Sequence, residues 1–591
     1  MNFSIYYTLS IIILMSLFLM KEVVKPSIIV FSALMLLVMG GVINVDEAFA
    51  GFSNQGMLTV GFLFVVSAAL QSSGAFYDII NRLLGKNKYG TAVRYFRLMI
   101  PVASFSAFLN NTPIVASLIP VIKSWSKRNN VAASKFLIPL SYAAILGGIC
   151  TLIGTSTNLV VHGMLTERGF DGFGFFEISK VGIPVAIFGI LFVALIGHYV
   201  LPSNKDPMVQ LGENTREFVV EMKVGPEYKS VGMTIEEANL RHLQGLFLFQ
   251  INRADMVIAP VAPDEKIYAD DRLFFTGLPD TIYELQRTSG LHVIKDTHFD
   301  LKDFDSDKMN TYEAVVSNTS PLLGQTVRDS NFRRRYNAVI LAIHRAGARV
   351  NKKVGDIIFH PGDTLFMLAK KGFDTEWYNT QDFSLVTSSV DIYAKPKWKG
   401  NVALGLLLAM ILAAAFKLVP IVIAAAVTAI IMTLFNIIST KDAQKSVNWN
   451  VLLIIASSFG IGKALENSGL ASLVASNMIG ALEQFGPIGI ITGIFFLTSI
   501  YTELITNNAA AAIMFPIALS AAKFAGMDPR PFMITLAIAA SASFATPIGY
   551  QTNLMVYNPG GYRFTDFLKI GAIMNVAVGV VVTGVVYFMF F

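Results

Sequence analysis

The sequence predicts a polytopic α-helical membrane protein. It would be built of two inverted repeats, each of about five spans plus a re-entrant hairpin, with a cytoplasmic α/β region inserted between them. Three observations carry this. Hydrophobic residues make up 54% of the chain and charged residues 15%, with the apolar runs gathered toward both ends. Two asparagine pairs, Asn110–Asn111 and Asn507–Asn508, sit in the middle of apolar segments in opposite halves. An amide in hydrocarbon is costly unless its donors and acceptors are used. Residues 203–398, by contrast, are charged throughout and hold no run long enough to cross a bilayer.

In the first half, 1–202, hydropathy places spans near 5–20, 27–43, 57–73, 134–153 and 181–201. In the second, 399–591, it places them near 400–416, 418–438, 449–465, 531–545 and 570–591. The segment Ile5 to Met20 lacks a basic leader and a small-residue cleavage site, so it reads as a retained span rather than a signal peptide. Blocks 98–122 and 488–522 carry their asparagines where a continuous span would be driest. Each is therefore expected to be a re-entrant hairpin with the amides at its tip, a shape tolerated only where protein or a cavity lines it. Cys150 is the single cysteine, which excludes an intramolecular disulfide.

The halves resemble each other. Ala69-Leu-Gln-Ser-Ser-Gly74 matches Ala464-Leu-Glu-Asn-Ser-Gly469 at an offset of 395, the asparagine pairs align at 397, and Pro120 and Pro516 close both hairpins. Some forty-five residues after each pair comes a polar break, Gly154-Thr-Ser-Thr-Asn158 and Ala545-Thr-Pro-Ile-Gly-Tyr-Gln-Thr-Asn553. Corresponding interruptions in two halves point to a transporter's midplane site. An odd number of crossings per half requires inversion, and charge agrees. Arg82, Lys86, Lys88, Arg94, Arg97, Lys123, Lys127, Arg128 and Lys135 flank the first hairpin, whereas 466–487 has Glu466 and Glu483 and no Lys or Arg. The net charge of +6 is then explained by basic cytoplasmic loops rather than by nucleic acid.

The insert is itself repeated at an offset of 92. Gly232, Thr234, Asn239, Arg241, Ile251, Arg253, Asp271 and Phe274 match Gly324, Thr326, Asn331, Arg333, Ile343, Arg345, Asp363 and Phe366. Units 203–298 and 299–398 each read as strand, short helix, strand, turn, strand, for instance Ala338–His344, a hairpin through Ala346-Gly347, then Asp363–Ala369. Lys395, Lys397 and Lys399 beside the next span place the insert in the cytoplasm.

Gly324-Gln-Thr326 and Gly362-Asp-Thr-Leu365 resemble the motifs of TrkA-C (RCK-C) domains, while the first copy has Asp270 in place of the second glycine. The membrane halves resemble the divalent anion:sodium symporters (SLC13-like, ion transporter superfamily), which carry Ser-Asn-Thr at each tip and a Thr-Pro-rich, Asn-ended break. Here the tips are Asn110-Asn111-Thr112 and Asn507-Asn508-Ala509, closer to sulfate-type members than to dicarboxylate carriers. The resemblance implies a plasma (inner) membrane homodimer working as an elevator, with sodium ions co-transported with a small inorganic or organic dianion.

Neither tip nor break contains Lys or Arg. Anion donors must be amides, hydroxyls and free N–H groups at helix starts, with full positive charge supplied by sodium held on hard oxygen ligands. The resemblance puts sodium on Ser106, Asn110, Asn111 and the Gly154 region, and on Glu503, Asn507, Asn508 and the Ala545–Thr546 region. It turns Thr112, Thr155, Ser156, Thr157, Asn158, Thr546, Thr552 and Asn553 toward the anion, with the four tip asparagines shared. Glu503, set against Ser106, would bind the cation or carry a proton.

Other classes are weighed on the same residues. A dicarboxylate symporter would use the same site, and a cation/proton antiporter would need Glu503 to titrate. Thr546-Pro-Ile-Gly-Tyr550 resembles a potassium filter but occurs once, and a filter needs four such loops. No metal cluster, nucleophile–base pair or phosphate loop suggests an enzyme. No Gly-x-Gly-x-x-Gly precedes a helix in the insert, so its role as ligand sensor, dimer contact or brace stays open.

Overall fold

A computed structural model describes residues 3–21, 24–73, 90–129, 131–204, 219–240, 246–254, 256–259, 261–277, 290–294, 309–317, 320–345, 348–350, 352–377, 382–388 and 397–591. The expected basic flank Arg82, Lys86 and Lys88, the Ala346-Gly347 turn and Lys395 lie outside them. The chain divides into two units, Met1–Ser203 with Ala394–Tyr557 and Tyr562–Phe591, and Asn204–Tyr393 with Asn558–Gly561.

The first unit is helical. Its first half runs Phe3–Lys21, Pro26–Met39, Val45–Phe49, Gln55–Ser73, Thr91–Ser106, Asn111–Arg128, Ser134–Gly148, Ser156–Glu167 and Ser179–Val200. Its second half runs Lys397–Ala415, Ile421–Leu434, Thr440–Ser446, Trp449–Asn467, Leu470–Leu482, Gly486–Leu504, Asn507–Phe524, Pro529–Ser541, Gln551–Tyr557 and Phe564–Phe590. Among the described residues, six stretches are long and apolar enough to cross a membrane, and Thr440–Ser446 with Trp449–Asn467, bent by 45°, pass the same test only when taken together as one span. This is a polytopic helical architecture.

Local chemistry repeats between the halves. Asn44 caps Val45–Phe49 by accepting from Glu47 N at 2.8 Å, and Ser439 caps Thr440–Ser446 by accepting from Asp442 N at 3.1 Å. Pro26–Met39 and Ile421–Leu434 have 14 residues each, about 21 Å of helix, and fall short of the expected spans 27–43 and 418–438. A left-handed residue ends each chain path, Gly41 at φ 69° and Asn436 at φ 55°. The expected hairpin blocks are helix pairs that turn at 107–110 and at 505–506. Leu470–Leu482, within a stretch read from sequence only as a flank, is a 13-residue helix.

A clamp joins the halves. Arg530, at the start of Pro529–Ser541, donates from Nε to Glu177 Oε1 at 2.5 Å and from Nη2 to Glu177 Oε2 at 2.6 Å. It also donates to the carbonyls of Asp171 and Gly172. The bidentate fork fixes segment 168–178 with directional bonds that a lysine cannot supply.

The second unit holds two five-stranded sheets. The strands are β1 Val219–Val224, β2 Leu246–Arg253, β3 Met256–Ile258, β4 Arg272–Gly277, β5 Leu291–Val293, β6 Met309–Val316, β7 Ala338–Arg345, β8 Ala348–Arg349, β9 Thr364–Lys370 and β10 Phe383–Ser388. The orders β3-β2-β4-β1-β5 and β8-β7-β9-β6-β10 are the same topology. Each β2-type strand pairs antiparallel with its β4-type partner through one bulge, Leu248/Gln250 and Ile340/Ala342. The matching extends to side chains. Arg253 grips Asp271 from Nε (2.9 Å) and Nη2 (3.0 Å), and Arg345 grips Asp363 from the same atoms at 2.7 Å each. The aspartates in turn accept from Tyr268 N and His360 N, both at 2.9 Å. Asp271 and Asp363 are buried, so the pairing arginine is what makes their charge tolerable.

Candidate binding site at the hairpin tips

Four helices begin where the two hairpins meet the two breaks: Asn111–Arg128, Ser156–Glu167, Asn507–Phe524 and Gln551–Tyr557. Their starts are linked across the halves. Asn111 Nδ2 donates to the Tyr550 hydroxyl at 2.6 Å, Thr112 Oγ1 to Gln551 Oε1 at 3.3 Å, and Ser156 Oγ to Asn508 Oδ1 at 3.0 Å. Helix starts present free N–H groups and the positive end of the helix dipole. Four of them directed at one region favour an anion without any Lys or Arg.

Behind each tip is a cradle of oxygens. Ser106 Oγ lies 2.7 Å from Asn111 Oδ1 and 2.8 Å from Ala144 O. Thr502 Oγ1 lies 3.1 Å from Asn507 Oδ1 and 2.8 Å from Ala540 O. Every member of the second set stands 396 residues after its counterpart. The breaks match as well. Asn158 Nδ2 donates to Gly148 O (3.3 Å) and Thr151 O (2.8 Å), and Asn553 Nδ2 to Ser543 O (3.0 Å) and Thr546 O (3.1 Å). Thr151 donates to Ala107 O, and Thr546 Oγ1 reaches Glu503 O at 3.3 Å.

These contacts correct the tip register. Asn111, not Asn110, is the counterpart of Asn507, at an offset of 396 rather than 397. Thr112 is the counterpart of Asn508, and Thr502, which sequence reading passed over, takes the place of Ser106. Glu503 is the counterpart of Ala107. Asn110 makes none of the tip contacts. Thr155 stands 3.2 Å from the Tyr550 hydroxyl. Thr552 and Asn553 both meet Ser141, a further residue the sequence did not flag, at 2.8 and 2.7 Å. Thr157 is wholly buried and its hydroxyl finds no partner among the described residues. Neither does the buried Asn158 Oδ1 or Ser543 Oγ.

Glu503 is the one charged residue of the tips and breaks. Its Oε1 accepts from Ala545 N (2.9 Å) and Asn575 Nδ2 (2.8 Å). Its Oε2 accepts from Thr546 N (2.9 Å) and Thr546 Oγ1 (2.7 Å). The carboxylate is therefore committed to fixing the second break. The first half has no such anchor. Gly182 and Gly571 both press on a break carbonyl, Ile149 O and Phe544 O, which aligns Asn575 with Ala186. Two alanines of one half are thus replaced by an amide–carboxylate pair in the other.

Glycine makes the close approaches possible. A Cβ on Gly148 would stand 2.8 Å from Asn111 Oδ1, and one on Gly549 would stand 2.8 Å from Glu503 Oε2. Real side chains essentially never come that near, so a larger residue would displace the tip or the anchor.

Paired tips and broken helices inside an apolar helical bundle define a multi-pass membrane transporter. The chain belongs to the citrate transporter (CitMHS) family, which it matches over residues 15–528 and 504–591. It is 36% identical over 562 residues to the Chlamydomonas reinhardtii protein named "Putative sulfur deprivation response regulator", covering 93% of this chain and 96% of that one. It is 27% identical over 739 residues to Sodium/sulfate cotransporter 1 of the same organism, covering 90% and 84% of the two chains. Sodium/sulfate cotransporter 2 gives 27% identity with 90% and 83% coverage.

Proposed function

We propose that this chain is a sodium-coupled symporter of a small divalent anion, sulfate first, working as a homodimeric elevator with two inverted repeats. The observation that carries the reading is the pair of matched oxygen cradles, Ser106–Asn111–Ala144 and Thr502–Asn507–Ala540, placed behind four converging helix starts. Hydroxyl, amide and carbonyl oxygens suit a hard monovalent cation, and the helix starts suit an oxyanion. Sodium in the cradles would order the tips and offset the anion's charge, so each would raise the other's affinity. The relatives named as sodium/sulfate cotransporters favour sulfate, and the family name keeps carboxylates in the comparison. Glu503, committed to four donors, disfavours a proton-exchange role. We also assign 203–298 and 299–398 as TrkA-C-like cytoplasmic units, on the strength of their shared topology and twin Arg–Asp grips.

The test is uptake of radiolabelled sulfate, succinate and citrate into proteoliposomes, with and without an inward sodium gradient, for the native protein and Asn111→Ala. Sodium-driven sulfate uptake that disappears in the variant is the expected result. Uptake of a carboxylate alone would retain the site and change the substrate. No sodium-dependent uptake of any of the three would end the symporter reading.

A further inference from the structure

The two breaks align residue by residue, Thr151-Leu-Ile-Gly-Thr-Ser-Thr-Asn158 against Thr546-Pro-Ile-Gly-Tyr-Gln-Thr-Asn553. Exchange of the halves therefore maps each cross-contact onto another. The Ser156–Asn508 bond maps onto the Gln551–Thr112 bond, and both exist. The Tyr550–Asn111 bond maps onto a Thr155–Asn507 bond, which the structure does not make. A threonine is too short to span the gap that the tyrosine spans.

One side of the junction is consequently closed and the other is not. At the first tip, the Tyr550 side chain reaches across from the opposite half, is buried, and places its hydroxyl 2.6 Å from Asn111 and 3.2 Å from Thr155. At the second tip, the residue equivalent to Tyr550 is Thr155, and Asn507 keeps partial exposure. A rigid ring at this position takes volume from the junction and adds a single polar atom.

We propose that Tyr550 is a specificity-determining residue: its ring limits the site to anions of about sulfate size, and its hydroxyl holds Asn111 and Thr155 in the register that binds them. The inference rests on the anion-symport reading and names the device that sets substrate size within it. Tyr550 acts on the site in two separable ways, on selectivity by the bulk of its ring and on affinity by the orienting hydroxyl. Apolar bulk in a pocket discriminates by about ten- to a hundredfold per excess group. A single hydrogen bond is worth about fivefold in affinity.

The test compares the native protein with Tyr550→Thr, which installs the residue of the other half, and with Tyr550→Phe, which keeps the ring. Sulfate and succinate uptake are measured in the same proteoliposome system under an inward sodium gradient. The expected result is a succinate-to-sulfate ratio raised about tenfold or more in Tyr550→Thr. Tyr550→Phe should instead need about fivefold more sulfate for half-maximal uptake, with its selectivity ratio near native. An unchanged ratio in Tyr550→Thr overturns the proposal, as does equal relaxation in Tyr550→Phe. If Tyr550→Thr transports neither anion, thermal stabilisation of the purified protein by sulfate and by succinate replaces uptake. Succinate should then stabilise the variant and not the native chain, and identical profiles overturn the proposal. Failure of native uptake with sodium would sink the symport reading alone, because the anion profile of thermal stabilisation still reads the size limit.

Discussion

Thr502 stands to Asn507 as Ser106 stands to Asn111: in each pair a hydroxyl five residues before the tip amide lies within 3.1 Å of its oxygen, and within 2.8 Å of a carbonyl in the following helix. Removing either hydroxyl takes one oxygen from a cradle and leaves a buried carbonyl without its donor. Ser106→Ala and Thr502→Ala should each raise the sodium concentration for half-maximal uptake about tenfold, and Thr502→Ser should restore it. A sodium titration of uptake reads both effects. Unaltered sodium dependence in both alanine variants would remove the cradles from the coupling mechanism.

Loss of the Glu503 carboxylate should cost stability rather than merely charge. Glu503→Ala strands two backbone N–H groups and the Asn575 amide, at about 2–4 kcal/mol in total. The double variant with Asn575→Ala reproduces the Ala107–Ala186 combination of the first half. It removes the stranded amide but also the acceptor of Phe544 N, so its loss should be smaller than the sum of the two single losses. Thermal unfolding of the purified protein would show non-additivity, the signature of a shared network.

Gly148→Ala should lower uptake at least about tenfold by pushing a Cβ against the Asn111 amide, which stands 2.8 Å away. Gly405→Ala, whose Cβ meets nothing within 4 Å, is the matched control and should transport normally.

The Arg–Asp grips of the second unit should behave as equals. Arg345→Ala leaves Asp363 buried without its cation, and Arg253→Ala does the same to Asp271, each at about 3 kcal/mol. Hydrogen exchange of the full-length protein would report accelerated exchange in β9 for the first variant and in β4 for the second.

Acid should release the clamp on segment 168–178. Burial pushes the Glu177 carboxyl up, but the bonds from Arg530 and Gly174 N outweigh it and hold the group below its ordinary 4.5. A depressed carboxylate stabilises above its unfolded value, and that contribution disappears as pH falls through the folded value. Thermal stability should therefore drop below about pH 4.5 in the native protein. Glu177→Gln should start lower at neutral pH and change less on acidification.

Much of the site was legible because its chemistry is expensive. Amides in mid-span and glycine- or proline-broken stretches stand out against an apolar background, so Asn111, Asn507, Asn158 and Asn553 could be found by inspection. The register of the tips could not. Pairing both asparagines selects an offset of 397, which overrides the 396 at which Pro120 and Pro516 align, and the partners of each amide decide for the prolines. That single residue misplaced Glu503 opposite Ser106 and hid Thr502. Ser141 was missed because a serine in a span is common. Tyr550 stands out in the second break only as part of a filter-like stretch, and sequence alone gives it no role at the tip, because its meaning depends on which distant helix faces it. In the insert, short apolar runs set between charged turns located β7 and β9 closely, because a strand signal is local while a helical bundle's contacts are not.

The contacts divide by half. Each cradle closes within one half, Ser106 with Asn111 and Ala144, or Thr502 with Asn507 and Ala540. Some links between tips and breaks stay within a half, Thr151 with Ala107 and Thr546 with Glu503. Those at the helix starts, Asn111 with Tyr550, Thr112 with Gln551 and Ser156 with Asn508, join opposite halves. On the symport reading, a cation would be held by elements of one half alone, whereas an oxyanion would need helix starts from both. The second half has Tyr550 and Glu503 where the first has Thr155 and Ala107. Substrate choice would then follow from the difference between the halves, and ion coupling from their likeness.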